Sequence, residues 1–430
     1  MRPRRSRSPR SPNFNHTPHR PTLTFPLARA DFAWLRFGYG PNAIPFRMID
    51  RRRFLFATAG LLVLPRFERT FASTAPDLLD DILESIRTRF DLPAMAGAVV
   101  FNDQIFSSTV GLRKVGDATG VTRDDQFHLG SCTKSMTATL VGLAIKAGKL
   151  KWDTTLAALL PDLAEKMRPE YRSVTIDHLL AHRAGLGPRN SPKGSSLRSL
   201  LEDGRLGATP RQQRRKFVEL VLQDAPINTP GAQFAYSNQS YVILGAILEG
   251  VVDKPWEELM RAQLFEPLEM TTAGFGAMGT PEKLDQPWQH RMQDETRRPI
   301  GPGPAADNPP VVGPAGTVHC SVGDWARYVR EHLRGPWGAS PLARADLFEL
   351  LHCATFGGNY AAGWYVAERD ASGMTLSHTG TNGGNFAMVS INTKRNWALL
   401  AMTNQGGDDA TRACNQLLSP MLNRVRSTPD

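Results

Sequence analysis

A loop meets a helix-forming segment in the stretch Gly130-Ser131-Cys132-Thr133-Lys134-Ser135-Met136-Thr137. Positions i and i+3 of a helix share a face, so the Lys134 amine can approach the Ser131 hydroxyl one turn below it. An alcohol is a poor nucleophile at neutral pH, and a lysine serves as its base once burial lowers the amine pKa from about 10.4. The start of the same helix offers backbone N–H groups and a positive dipole end to a developing oxyanion.

A purely structural explanation of this stretch stays open. Serine is among the preferred helix N-caps, and in that case Lys134 is only a surface charge. Against this explanation, Ser131 is the only serine of the chain that has a lysine three residues further on. We therefore treat Ser131 and Lys134 as a candidate nucleophile and its base.

A second candidate segment is Phe234-Ala235-Tyr236-Ser237-Asn238, which follows a turn at Pro230-Gly231 and precedes a helix-forming run. A loop that carries a phenol and a carboxamide two residues apart can direct both into one pocket. The phenol would carry a proton, and the amide would bind a substrate carbonyl. The alternative is a packed tyrosine with Asn238 as a helix cap. This Tyr-x-Asn is the only one in the sequence.

The third segment, His378-Thr379-Gly380, ends a predicted strand and is followed by Gly383-Gly384. The pattern itself is common, since Lys114-Val115-Gly116 and Lys146-Ala147-Gly148 match its general form. Its position distinguishes it, because a peptide or amide substrate can lie along an exposed strand and form main-chain hydrogen bonds with it.

The remaining pattern predicts strands at both ends of the body and helices between them. A helix over 77–90 precedes strands over 96–101 and 104–110, and residues 131 to about 268 have helical periodicity around a polar loop at 187–196. Strands over 363–367, 375–379, 385–392 and 397–403 lead into a closing helix over 410–425. Prolines crowd the segment 285–316, which predicts an irregular lid or substrate loop without helix or strand. This order indicates an α+β fold in which terminal helices cover one antiparallel sheet.

The three segments together resemble the serine β-lactamase and DD-peptidase superfamily, in its class C β-lactamase-like, low-molecular-weight penicillin-binding protein and esterase branch. The resemblance extends over roughly residues 77–425 and includes the stretch His178-Leu179-Leu180-Ala181-His182-Arg183-Ala184-Gly185-Leu186. It implies an α+β fold with an all-helical subdomain and an active site between sheet and helices. It also implies an acyl-enzyme mechanism without a metal or other cofactor.

The resemblance assigns a role to each site residue. Ser131 would be the acylated nucleophile, Lys134 its base and Tyr236 the proton shuttle to the leaving group. The backbone N–H groups of Ser131 and Thr381 would form the oxyanion hole. The residues implied to bind substrate are Asn238, His378, Thr379, Gly380 and Thr381.

One residue departs from the class C pattern, which has lysine where this chain has His378. An imidazole with a pKa near 6.5 is mostly neutral at pH 7, so a fixed positive charge is lost and activity is expected to gain a pH dependence. The superfamily's DD-carboxypeptidases and esterases use histidine here. The sequence therefore predicts a hydrolase of D-amino-acid peptides or esters ahead of lactams, with a non-hydrolysing penicillin-binding or ligand-sensing protein as the alternative.

The formal net charge of +10 comes from the front of the chain. Residues 1–75 contain 14 Arg, no Lys and three acids, whereas the remainder contains 37 basic and 38 acidic residues. A phosphate-binding groove for nucleic acid is therefore not expected in the body. The predicted partner is a small-molecule or peptide substrate, and nothing predicts the oligomeric state.

The basic leader resembles an export signal. Asp50-Arg51-Arg52-Arg53-Phe54-Leu55, an uncharged run over 54–64 and Thr70-Phe71-Ala72 are typical of a twin-arginine signal peptide at 48–75, cleaved after Ala72. The uncharged run is too short to span a bilayer, so a periplasmic or secreted protein is expected. Residues 1–47 are then a non-native or disordered extension before a start at Met48, and an organelle transit peptide is the alternative.

Two further residue groups are interpreted as structural. His178 and His182 stand four apart on a helix, as metal ligands can, but no third ligand is near in sequence and packing is the favoured interpretation. The four cysteines show no metal-site spacing, and they allow three complete disulfide pairings, of which none is predicted: Cys132, Cys320, Cys353 and Cys414.

Overall fold

The structure is a computed structural model that describes residues 78–188, 190–369 and 373–428. These residues belong to the unit Phe71–Asp430. The predictions made for the extension at 1–47 and for the signal peptide at 48–75 lie outside the described residues. Within those residues, no helix has the length and apolar character needed to cross a membrane.

The strands and α-helices of the described residues are numbered in chain order. The strands are β1 (Ala94–Phe101), β2 (Gln104–Gly111), β3 (Phe127–His128), β4 (Gly274–Phe275), β5 (Gln289–Gln293), β6 (Thr296–Ile300), β7 (Val318–Cys320), β8 (Tyr365–Arg369), β9 (Gly373–Thr381), β10 (Phe386–Asn392) and β11 (Trp397–Thr403). The α-helices are α1 (Asp80–Arg89), α2 (Thr133–Lys146), α3 (Leu156–Leu159), α4 (Ile176–Leu180), α5 (Leu197–Glu202), α6 (Pro210–Val221), α7 (Asn238–Val252), α8 (Trp256–Met260), α9 (Gly313–Gly316), α10 (Val322–Arg334), α11 (Ala345–His352) and α12 (Asp408–Ser427).

The main sheet is antiparallel and has the strand order β2-β1-β11-β10-β9-β8. The first and last strands of the described residues, β1 and β11, therefore pair inside this sheet, where Met95 pairs with Thr403 and Phe101 with Trp397. The β1–β2 turn uses two residues with positive φ, Asn102 and Asp103. This backbone is typical of the two-residue hairpins that match strand twist.

The two faces of the sheet are buried under different helices. Alternate residues of β1 point to opposite sides, and Met95 and Val99 join α1 and α12 in one apolar cluster. Ala96 and Ala98 point to the other side, where α10 packs. A Cβ at Gly97 would lie only 2.7 Å from Met421 Sδ, so glycine permits the close approach of α12. The predicted α+β fold is confirmed.

The helical part is organised around α2 and α7, both of which are buried over most of their length. They pack against each other, and α4, α6 and α9 pack on α7. The 3₁₀ turn Gly130–Cys132, which leads into α2, lies against the end of β9. The start of α2 is therefore held between the sheet and the helices.

The prediction that neither helix nor strand runs through 285–316 is wrong, because β5, β6 and the short helix α9 all lie there. β5 and β6 form a hairpin there, with a turn at Asp294 and Glu295, both of which have positive φ. Gln293 and Thr296 close this turn, and His290 pairs with Pro299 three rungs further on. That alternation makes His290–Pro299 a pair without mutual ladder hydrogen bonds, so proline loses no bond there.

Candidate active site

Ser131 lies in a 3₁₀ turn, Gly130–Cys132, that continues directly into α2. Gly130 adopts a φ of 50°, in the left-handed region that favours glycine. Ser131 is half-buried, and Lys134, one turn further along, is completely buried. The Lys134 Nζ lies 3.0 Å from the Ser131 Oγ, so the i, i+3 approach predicted from the sequence is present.

Three oxygen atoms surround the Lys134 amine. Besides Ser131 Oγ, these are Asn238 Oδ1 at 2.6 Å and the Ala315 carbonyl oxygen at 2.7 Å. The last two only accept hydrogen bonds, so they take the two N–H groups of a neutral amine. The remaining lone pair then faces the Ser131 hydroxyl. Burial lowers the pKa of Lys134 to about 7, so the base form is well populated at neutral pH.

Tyr236 packs beside the same amine. The Lys134 Nζ lies 4.9 Å from the centre of the Tyr236 ring. Burial raises the pKa of the Tyr236 phenol, and a hydrogen bond with Ser131 opposes this rise only in part. The phenol therefore keeps its proton at neutral pH, which suits a group that donates a proton to a leaving group.

Asn238 begins α7 and connects the amine to the surface. Its Oδ1 accepts from Lys134, while its Nδ2 donates to Asn190 Oδ1 over 2.7 Å. Asn190 belongs to the polar loop at 187–196 and was not singled out from the sequence. The Asn190 side chain is exposed, so the two amides connect the buried amine to solvent.

His378 is buried in β9, with 3 % of its surface exposed. Its Nδ1 lies 2.6 Å from the Thr379 carbonyl oxygen, which can only accept. Nδ1 therefore carries the proton, and Nε2 accepts from the Tyr360 hydroxyl at 3.1 Å. Burial, followed by the nearby Lys134 charge, lowers the pKa of His378 to about 3. Burial therefore favours the neutral ring, which opposes the titration near neutral pH that was expected from the sequence.

The end of β9 lies directly against the Ser131 turn. A Cβ at Gly130 would lie 2.3 Å from the Thr381 nitrogen, and a Cβ at Gly380 would lie 2.6 Å from the Ser131 nitrogen. Only glycines permit this contact between two backbones. The N–H groups of Ser131 and Thr381, to which the resemblance assigns the oxyanion hole, both lie at this contact.

The two threonines of this strand end are both exposed, but their hydroxyl groups differ in their hydrogen bonds. Thr381 Oγ1 donates to the Asn385 carbonyl oxygen at 2.6 Å and accepts from the Gly383 N–H at 2.9 Å. The Thr381 hydroxyl is therefore committed to its own turn, which leaves Thr379 as the better candidate for contact with a substrate carboxylate.

His178 and His182 do not point to a common ligand. His178 Nδ1 accepts from the Thr175 N–H at the start of α4, as part of a capping box. His182 Nδ1 accepts from the Ser237 N–H, and its ring lies 4.4 Å from the Tyr236 ring. Among the described residues, no group of three or more His, Cys, Asp or Glu side chains could hold a metal ion.

A half-buried hydroxyl, a buried amine and a half-buried phenol in contact at the start of a helix, beside the end of β9, define a site of the serine hydrolase class. The Beta-lactamase family model matches residues 79–418, and the chain belongs to that family. With family membership and this site, the protein is a serine hydrolase in kind.

Known proteins resemble the chain over most of its length. It is 28% identical over 341 residues to penicillin-binding protein 4 of Amycolatopsis lactamdurans, covering 75% of this chain and 84% of that protein. The octameric penicillin-binding protein homologue from Pyrococcus abyssi matches its fold with a TM-score of 0.65 and 20% identity, covering 80% of this chain and 77% of the other. A D-stereospecific amidohydrolase from Streptomyces sp. matches with a TM-score of 0.60 and 19% identity, covering 80% and 98%.

Proposed function

We propose that this protein is an exported serine hydrolase that forms an acyl-enzyme on Ser131 and acts on a D-amino-acid peptide, an ester or a lactam. One observation carries the proposal: the buried Lys134 Nζ lies 3.0 Å from the Ser131 Oγ, and burial lowers the pKa of this amine to about 7. A lysine that serves only as a surface charge needs neither burial nor two acceptors that orient it.

The proposed acylation begins when Ser131 Oγ attacks the acyl carbon and its proton moves to Lys134 Nζ. The carbonyl electron pair moves onto oxygen, where the N–H groups of Ser131 and Thr381 stabilise it. The bond to the leaving group then breaks as the phenol of Tyr236 gives that group a proton. The phenol regains a proton from the Lys134 ammonium, so the site returns to its starting charge. Water releases the acyl group by the same steps.

The neutral, buried His378 supports a peptide or ester substrate ahead of a lactam. Both of its ring nitrogens are engaged within the protein, and the superfamily members with histidine at this position are carboxypeptidases and esterases. Two of the proteins similar to this chain carry the names penicillin-binding protein and D-stereospecific amidohydrolase. These names agree with an acyl donor that contains a D-amino acid.

Export is proposed from the sequence alone. The paired arginines, short apolar run and small residues at 48–75 support removal of a signal peptide and release into the periplasm or medium. A fusion of residues 48–77 to a reporter that functions only after export tests this part. Replacement of Arg51 and Arg52 by Lys should retain the reporter inside the cell.

The catalytic proposal is tested with a fluorescent penicillin and a p-nitrophenyl ester. We expect wild-type protein to be labelled and to hydrolyse the ester, and we expect Ser131→Ala to lose both with its thermal unfolding unchanged. Ser240→Ala is the matched control, because the Ser240 hydroxyl is buried and has no hydrogen-bond partner. Undiminished hydrolysis by Ser131→Ala would exclude the mechanism. Stable labelling without turnover of any ester or D-peptide would favour the ligand-sensing alternative.

A further inference from the structure

The two halves of the oxyanion hole are connected through a third part of the chain. His128 lies two residues before Gly130, and Asn382 directly follows Thr381. Asp307, in the Pro-rich segment between these two, contacts both: its Oδ2 lies 2.8 Å from His128 Nε2, and its Oδ1 accepts from Asn382 Nδ2 at 3.2 Å. We call His128, Asp307 and Asn382 the Asp307 brace.

The hydrogen bonds define one arrangement of the brace on the Ser131 side. The Gly130 N–H donates to His128 Nδ1 at 3.0 Å, so that nitrogen carries no proton. His128 Nε2 therefore carries the proton and donates it to the Asp307 carboxylate. The imidazole is completely buried, and the Asp307 side chain is 4 % exposed. This pair is thus a neutral imidazole bound to a carboxylate, with a fixed ring orientation.

The other side of the brace fixes the turn after β9. While its Nδ2 donates to Asp307, Asn382 Oδ1 accepts from the N–H groups of Gly384 and Asn385 at 3.2 and 3.0 Å. The Asn382 side chain therefore holds both the turn and the loop that carries Asp307. The residue immediately before it supplies the second oxyanion donor.

The contact between the Ser131 turn and the end of β9 needs support from other residues, because glycine forms it on both sides. Gly130 and Gly380 let the two backbones touch, but neither has a side chain that can lock the register of the contact. Glycine also permits many backbone conformations, so its position must be fixed from outside. A displacement of about 1 Å at a catalytic group can cost about 10²-fold in rate.

We propose that Asp307 is a positioning residue that sets the separation and direction of the Ser131 and Thr381 N–H groups through His128 and Asn382. This inference rests on the proposed serine hydrolase function, since it concerns the oxyanion hole of that site. Asp307 is not assigned contact with the substrate. Its effect belongs to the transition state, in which the carbonyl oxygen is charged.

The test compares Asp307→Asn with wild type, using p-nitrophenyl ester hydrolysis and inhibition by phenylboronic acid. Asp307→Asn keeps the side-chain volume. Its amide NH₂ must then face either the His128 Nε2–H or the Asn382 NH₂, and both of these groups are donors. We expect kcat to fall about 10- to 100-fold while KM stays within about threefold. Phenylboronic acid forms a tetrahedral anion on the serine, so its affinity should fall by about the same factor as kcat/KM.

The boronate separates positioning from a merely structural role. Partial unfolding lowers the number of active sites, as a burst titration measures, but leaves the boronate affinity of the remaining sites unchanged. Unchanged boronate affinity at reduced kcat, or unchanged kinetics altogether, would overturn the inference while wild-type activity leaves the proposed function standing. If wild type itself lacks Ser131-dependent turnover, the proposed function fails instead.

A second variant of the brace and a control variant keep the test valid even if Asp307→Asn folds poorly. Asn382→Ala removes the other end of the same link, and its cost combined with Asp307→Asn should be well below the sum of the two single costs. Fully additive costs would contradict a single brace. Asp285→Asn is the matched control, because that carboxylate caps Thr280 within its own exposed turn.

Discussion

At the scale of single residues, the site depends on where protons reside at neutral pH. Lys134 has a lowered pKa of about 7, Tyr236 a raised one and His378 a pKa of about 3, in each case mainly because of burial. Of these groups, only Lys134 changes its charge near neutrality. A site with one titrating base should show a simple pH dependence.

We predict that kcat/KM rises with pH and levels off above an apparent pKa near 7. Below that value Lys134 holds a proton and cannot accept one from Ser131, so the active fraction falls about tenfold per pH unit. Initial rates of ester hydrolysis between pH 5 and 9 measure this. The inflection should remain near 7 in His378→Asn, even where the rate is lower. Its disappearance in that variant would assign the titration to the imidazole instead.

Some residues of the site could be predicted from the sequence, and others could not. The approach of Ser131 to Lys134 follows from helix geometry, because the two stand one turn apart. The convergence of Tyr236 and His378 on that pair came only from the family resemblance. Asp307 was missed because its contact with His128 joins residues 179 apart in sequence. No local pattern marks such a pair.

At the scale of elements, the contact between β9 and the Ser131 turn decides whether an oxyanion hole can form. Both backbones are glycine at the contact, and a Cβ at Gly380 would lie only 2.0 Å from the Leu129 carbonyl oxygen. Any side chain at this point must push the two elements apart. The strand itself would still pair with β10.

Gly380→Ala should therefore lower kcat/KM by about 10² or more, the usual cost of losing one oxyanion donor. Steady-state ester hydrolysis and circular dichroism together measure the effect and check the fold. Gly250→Ala in α7 serves as the control, because nothing lies within 4 Å of its Cβ position and alanine favours helix. A Gly380→Ala enzyme with wild-type kinetics would mean that this contact does not shape the site.

Hydrophobic periodicity predicted most helices and strands well. It failed in the Pro-rich segment, where turn residues and a tolerated proline determine the structure. The strand predicted over 104–110 is observed at Gln104–Gly111, and the closing helix predicted over 410–425 at Asp408–Ser427. The β5–β6 hairpin was missed because Pro299 was taken as a strand breaker. In a two-stranded ribbon, proline fits at a position that makes no ladder hydrogen bond.

At the scale of the whole molecule, the first and last strands of the described residues pair in one sheet, while most of the residues between them form helices. β1 pairs with β11, β10 and β9 follow in the sheet, and β9 lies against the 3₁₀ turn that carries Ser131. Ser131, Tyr236 and His378 lie close together although they come from segments more than 100 residues apart. The sequence predicted this architecture through the order of its strands and helices.

The central claim is that Ser131 receives the acyl group. Trypsin should release residues 124–134 as one peptide. Ser131 is its only serine, and its other nucleophilic side chains of this kind are Cys132 and Thr133. Wild-type protein is quenched in acid during ester or penicillin turnover, digested and sequenced by tandem mass spectrometry. We expect one acyl group per protein, on Ser131 of this peptide. Turnover with the acyl group on Cys132 or on another peptide, or with no acyl group at any quench time, would contradict it.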